Sequence, residues 1–156
     1  MSEHYEEIFQ GEAIMRRAPG ARHEAICERL HSFVGASLVA NAATRLLAPR
    51  TAVQLTPGTL VRPDLTLITV ATGKPWLLAE IVDSSDHRTD TVTKKALYED
   101  LRITRLWMID PRYDNVEIYH ATEYGLALRG ILAHREFVEE TLLPGLRVGI
   151  GALFGL

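Results

Sequence analysis

The chain predicts a mixed α/β (α+β) fold, with a central β-sheet flanked by helices. Three observations lead there. Trp76–Val82 and Arg105–Ile109 are apolar runs too short for a typical helix, so each reads as a buried strand. A helical stretch from about Arg88 to Arg102 separates them, and a strand–helix–strand step of that length is a βαβ crossover with a parallel pair. Short turns flank this step, Ala71-Thr72-Gly73-Lys74-Pro75 on one side and Asp110-Pro111 to Asp114-Asn115 on the other, and such turns imply antiparallel neighbours. A sheet with both pairings and helices on its face belongs in this range of folds.

The other elements follow in order. Ile8 to Arg17 reads as a strand pair around Gly11, and Pro19-Gly20 breaks the chain. His23, Ile26, Cys27, Leu30, Phe33 and Val34 recur at helical spacing, which predicts a helix from about Arg22 to Val39. Arg45 to Leu55 reads as a strand ended by Thr56-Pro57-Gly58, and Val61–Val70 as the next. Asp83-Ser84-Ser85-Asp86 is helix-capping chemistry ahead of the second helix. Val116–His120 is a return strand. The tail alternates turns with strand candidates at Arg135–Val138 and Leu146–Ile150.

Bulk properties narrow the function. A chain of 156 residues is expected to be a single domain, 1–156, large enough to bury a core without staples. Its 47% hydrophobic and 24% charged content is that of a soluble globular protein, and its single cysteine excludes an internal disulfide. The acidic start, Met1-Ser2-Glu3-His4-Tyr5-Glu6-Glu7, is unlike a signal peptide, and no apolar run is long enough for a membrane span, so a cytoplasmic location is expected. A formal net charge of -3 argues against a strongly basic, autonomous DNA-binding module. Zinc-type histidine spacing, GxSxG, GxGxxG and GxxxxGK are all absent.

Three charged residues stand where apolar ones belong. Strand alternation puts Glu80 on a face with Leu78 and Val82, opposite Leu77, Ala79 and Ile81. A carboxylate there is either half of a buried ion pair or a metal ligand. Asp64 follows Pro63 at a strand entry, which by itself is turn chemistry. A hairpin centred near Gly73 would bring it within about two positions of Glu80, and two carboxylates that close call for a cation. Lys94 shares a helical stripe with Leu97, Tyr98 and Leu101, whereas Lys95 aligns with Glu99 and Arg102 on a solvated face. Lys94 is therefore the lysine aimed inward, either towards the carboxylates or snorkelling from the end of its stripe. His23 heads the stripe of the first helix, as a satisfied core residue or an outer-shell group.

Taken in order, Arg62-Pro63-Asp64, Ala79-Glu80-Ile81-Val82-Asp83-Ser84-Ser85, Asp90, Lys94, Tyr98 and Leu106-Trp107-Met108-Ile109-Asp110-Pro111 resemble the Uma-two family of restriction-endonuclease-like proteins, in the PD-(D/E)xK nuclease superfamily. Gly11-Glu12, Pro19-Gly20 and His23 extend the resemblance towards the N-terminus, and Leu143-Pro144-Gly145-Leu146 with Leu153-Phe154 towards the C-terminus. The chain departs from the family in having Asp83-Ser84-Ser85 where Ser-Pro-Ser is usual. It also has Leu101-Arg102-Ile103-Thr104 where a glycine usually ends the lysine helix.

The resemblance implies a restriction-endonuclease-like core, a mixed central sheet flanked by helices. It implies Mg²⁺, with Mn²⁺ as an alternative, held by Asp64, Glu80 and the backbone carbonyl near Ile81. The superfamily lysine would stand at Val82; the family branch moves it to the following helix, where Lys94 matches. The expected function is a metal-dependent endonuclease hydrolysing phosphodiester bonds, with DNA as the nucleic-acid partner and Asp64, Glu80 and Lys94 as catalytic residues. Tyr98 would support the lysine, with Glu12 and His23 in the outer shell. A homodimer is expected, since nucleases that cut both strands are often symmetric. The alternative is a non-catalytic accessory or binding domain that retains the nuclease-like fold.

Overall fold

The computed structural model describes residues 4–83 and 88–156. The chain opens with a hairpin of β1 (His4–Phe9) and β2 (Glu12–Arg17). Its two-residue turn has Gln10 at φ 51° and Gly11 at φ 85°, the doubly left-handed geometry that matches strand twist and favours glycine. Helix α1 (Ala21–Ser37) follows, burying Ile26, Cys27, Leu30 and Val34, the core of the predicted stripe. Then come β3 (Thr44–Leu46), β4 (Val53–Thr56), β5 (Thr59–Val61), β6 (Leu65–Thr69) and β7 (Pro75–Ile81).

A π-helical segment (Thr89–Lys94) runs directly into α2 (Lys95–Asp100). Next are β8 (Arg105–Asp110), β9 (Asn115–Thr122), β10 (Gly125–Ala133), β11 (Phe137–Glu140), β12 (Leu143–Gly149) and α3 (Ile150–Phe154).

The central sheet has the order β10-β9-β8-β7-β6-β3, with β7 parallel to β8 and its other neighbours antiparallel. The predicted crossover is therefore present in a mixed sheet. Beside it stand a second sheet, β2-β1-β5-β4, and the pair β11-β12. Strand alternation divides the core in two. Leu65, Leu67, Leu77, Ala79, Ile81, Trp107 and Ile109 pack with α1 and α3. Leu78, Val82, Leu106 and Met108 pack with Leu97 and Tyr98 of α2.

Several boundaries differ from expectation. The run read as one strand from Arg45 to Leu55 is two strands in two different sheets. Val61–Val70 is broken at Arg62-Pro63-Asp64, where Pro63 has no N–H and the Arg62 N–H turns to a side chain, Glu7 Oε2, at 2.7 Å. Strand β10, helix α3 and the inclusion of Pro144 and Gly145 within β12 were not anticipated, because glycines at 125, 130, 145, 149 and 151 mask the pattern there. Of the expected cap Asp83-Ser84-Ser85-Asp86, residues 84–86 lie outside the described residues.

The lysine helix ends where the resemblance expects glycine. Arg102 adopts φ 56°, with its N–H on Glu99 O at 3.1 Å and the Ile103 N–H on Tyr98 O at 3.2 Å. That is a Schellman closure, in which Ile103 folds back into the core beside Tyr98. Among the described residues no helix is long and apolar enough to cross a membrane.

Candidate functional site

Asp64 and Glu80 stand at one end of the β6–β7 ladder. Leu65 pairs with Ala79, so continuing the register sets Asp64 directly across from Glu80, not two positions away. The turn is centred before Gly73, and a register shift between Leu67 and Ile68 takes up the difference. The two carboxylates then diverge. Asp64 Oδ2 accepts the Ile81 N–H at 2.8 Å, while its Oδ1 lies 3.2 Å from the Arg50 guanidinium. Glu80, on the α2 face, accepts from Lys94 Nζ at 3.0 Å on both oxygens and from the Tyr98 hydroxyl at 2.6 Å on Oε1.

Lys94 is 1% exposed and Tyr98 is fully buried. One α-helical turn separates them, which delivers both donors to the same carboxylate. Lys94 is the last residue of the π-helical segment, a widened turn of the kind often found at functional sites. Lys95 faces elsewhere: its ammonium lies 4.7 Å from the centre of the Tyr119 ring, and Glu99 accepts the Leu126 N–H at 2.8 Å.

The cluster also holds groups that the sequence reading missed. Glu7 on β1 is fully buried; its Oε2 lies 2.9 Å from Lys94 Nζ, and its Oε1 accepts from Arg16 at 2.8 Å. Tyr5, on the same face of β1, is held un-ionised well above the usual phenol range by burial. The alternation argument that singled out Glu80 applies equally to Glu7, which lies between Tyr5 and Phe9 on one strand face. Arg50, at φ 58°, bridges Asp64 and Glu24, the latter at 2.9 Å. It comes from an irregular connection with no periodicity to betray it. Glu12, expected in the outer shell, sits exposed at the turn end of the first hairpin, opposite Phe9. The hairpin sends Glu7 into the cluster instead.

His23 reaches the same point from α1. Its Nε2 lies 3.1 Å from Ile81 O and 3.4 Å from Asp64 Oδ2. Burial opposes its protonation, but the hydrogen bond and charge of Asp64 win, and its pKa rises. Burial likewise pushes the Asp64 carboxyl up, yet His23, the Ile81 N–H and the Lys94 charge together bring it below the usual carboxylate range. Cys27, with its thiol 3.7 Å from Asp64 O, is pushed up to about 12 by burial and is no nucleophile. A cleft of about 350 Å³ opens on His23 and Val82, with Arg22, Asp83 and Arg112 also on its walls.

Four carboxylates (Glu7, Glu24, Asp64 and Glu80) thus meet Arg16, Arg50, Lys94 and a proton-attracting His23. Among the described residues no three His, Cys, Asp or Glu side chains converge as ready metal ligands. The Asp64 carboxylate and the Ile81 carbonyl gather at the sheet end within 3.4 Å of His23 Nε2, while the Glu80 carboxylate, one residue before Ile81, turns to Lys94 and Tyr98. The carboxylates and the carbonyl are hard oxygens of the kind Mg²⁺ and Mn²⁺ take. Two buried atoms beside them, His23 Nδ1 and Glu24 Oε1, have no hydrogen-bond partner. The chemistry of this donor set fits a divalent cation.

A mixed sheet carrying two acids at one strand end and a lysine on the crossover helix is a restriction-endonuclease-like fold. The family model described as "Uma2: Putative restriction endonuclease" matches residues 1–151, and the chain belongs to that family. A crystal structure of a "putative nuclease belonging to DUF820" from Anabaena variabilis ATCC 29413 is similar at a TM-score of 0.80 and 16% identity, covering 99% of this chain and 92% of that chain. At that identity the likeness is one of fold. No curated protein matches the chain.

Proposed function

We propose that the protein is a metal-dependent endonuclease that hydrolyses phosphodiester bonds in DNA. The observation that carries this reading is Lys94, buried with its ammonium 3.0 Å from both Glu80 oxygens, beside the strand end where Asp64 grips the Ile81 N–H. Membership of a nuclease-like family supports the substrate class.

Asp64, Glu80 and the Ile81 carbonyl would hold Mg²⁺ or Mn²⁺. The bound ion would supply Lewis-acid polarisation of the phosphate and a lowered pKa for an attacking water. Lys94, paired with two carboxylates, offers N–H donors to charge building on a phosphate oxygen. Tyr98 fixes Glu80 through its 2.6 Å hydrogen bond. Asp64 stays ionised because its neighbours hold its pKa down. The cleft beside His23 supplies an approach for the substrate phosphate. A symmetric homodimer would present two such sites to opposite strands, which light scattering on the purified protein would test.

The test is cleavage of supercoiled plasmid DNA with Mg²⁺ or Mn²⁺. Nicking by the wild type that disappears with chelator and in Asp64→Ala and Glu80→Ala is the expected result. Activity surviving both substitutions overturns the site. A second reading, an accessory domain without catalysis, is favoured by one observation: each carboxylate of the cluster already has a protein cation or proton donor beside it. The absence of cleavage with either ion on DNA or RNA selects that reading.

A further inference from the structure

We infer that His23 is a nitrogen ligand of the divalent cation, bound through Nε2, with Glu24 as the carboxylate that sets its tautomer. The inference rests on the metal-dependent reading above and adds a donor to it. His23 Nε2 is 3.1 Å from Ile81 O and 3.4 Å from Asp64 Oδ2. Neighbouring ligands at right angles around an ion with bonds of about 2.1 Å stand about 3 Å apart. The nitrogen is therefore spaced from both oxygens as a third corner of one coordination shell, within a few tenths of an ångström. The cleft that opens on His23 provides the entry path such a site needs.

The far side of the ring points the same way. Without an ion, Nε2 faces two acceptors and must carry the hydrogen. Nδ1 is then left 3.6 Å from Glu24 Oε1, and both are buried without a hydrogen-bond partner. Two orphaned polar atoms side by side are costly. A metal-bound histidine characteristically donates its other N–H to a carboxylate. With the proton on Nδ1 and the Nε2 lone pair on the cation, Glu24 gains its donor after closing by about 0.7 Å to an ordinary hydrogen bond. The Nε2 proton passes to solvent, and Nδ1 carries the one proton of the neutral ring. Arg50 already steadies the partner: it holds Glu24 Oε2 at 2.9 Å and Asp64 Oδ1 at 3.2 Å, joining the tautomer-setting carboxylate to a metal-binding one.

A mixed nitrogen and oxygen donor set ranks ions differently from an all-oxygen one. Imidazole favours Mn²⁺ and the later first-row ions over Mg²⁺. The experiment is pulsed EPR of Mn²⁺ added to the full-length protein, with Mn²⁺ affinity measured in parallel. The expected result is directly bound ¹⁴N modulation in the wild type and in His31→Gln, whose Nε2 contacts the Asp64 backbone O at 2.6 Å. His23→Gln should lose the modulation, and its Mn²⁺ affinity should fall by at least tenfold. Glu24→Gln should keep the modulation, with affinity weakened by about 10–100-fold. Far-UV circular dichroism checks that each variant is folded. Bound Mn²⁺ without nitrogen modulation in the wild type overturns the histidine ligand and leaves metal dependence standing. Failure of the wild type to bind Mn²⁺ overturns both.

Discussion

Glu7 and Lys94 meet at 2.9 Å, joining the first strand of the chain to the π-helical turn that follows β7. The contact is entirely buried and is shared: Glu7 also takes Arg16 and the Arg62 N–H, and Lys94 also takes Glu80. The opening hairpin thereby becomes part of the wall around the proposed site. Among the described residues no strand ladder joins it to the central sheet; its ladder runs to β5. The ion pair couples the two, together with Phe9, Val53 and Val61, which pack in one apolar cluster with Leu78 and Leu106.

Removing Glu7 should therefore be felt as stability first. Glu7→Ala leaves Arg16 buried without this partner and Lys94 with one carboxylate fewer. Breaking a buried pair costs about 3–5 kcal/mol. Urea unfolding should show a loss of that size, whereas Glu12→Ala at the exposed turn should change stability by no more than about 0.5 kcal/mol. Equal effects from the two would contradict the buried network.

The two adjacent lysines provide the second prediction. Lys94→Met should lower metal-dependent plasmid cleavage by about 10²–10³-fold per folded molecule, the usual loss on removing one donor aimed at developing charge. Lys95→Met removes a cation–π contact with Tyr119 and should leave cleavage within about twofold. Comparable losses at the two positions would show that helical phase does not select the lysine.

Stability should depend on pH in two arms. Asp64 has a folded pKa below its ordinary value. Its contribution is complete above about pH 4 and is lost as the pH falls through that lower folded value. His23 is shifted the other way: its contribution is complete below about pH 6.5 and is lost as the pH rises through its higher folded pKa. Because Asp64 and His23 shift each other, Asp64→Asn and His23→Gln should each flatten both arms. Urea midpoints between pH 3 and 9 measure this; an unchanged alkaline arm in His23→Gln would refute it.

Arg102 is the fourth test. A non-glycine residue in the left-handed region costs about 1–2 kcal/mol, and a glycine there gives back part of the gain through its freer unfolded chain. Arg102→Gly should raise stability by about 0.5–1 kcal/mol and leave cleavage unchanged. A loss of stability would mean that the Arg102 side chain contributes more than its backbone costs.

Much of the site was legible because burying charge is expensive enough to leave a mark on a local pattern. Glu80 broke a strand face and Lys94 headed a helical stripe; each needed only its own neighbours to be noticed. The βαβ step was readable for the same reason, since a crossover is a local matter of length and periodicity. Helix α1 was readable from its stripe. Elements rich in glycine, β10 and β12 among them, carry weak periodicity and were missed or misplaced.

The sequence by itself therefore determined which residues must face inward and which two acids and one lysine required an explanation. It could not determine who answers them. Arg50 reaches Asp64 from an irregular loop, Glu7 reaches Lys94 from a separate sheet, and His23 meets the Ile81 carbonyl across 58 positions of chain. Such partnerships depend on register and on the packing of distant elements. A bulge in the β6–β7 hairpin, invisible to residue counting, was enough to move Asp64 directly across from Glu80. Local patterns record the cost of an inward charge, and only the tertiary structure supplies the group that offsets it.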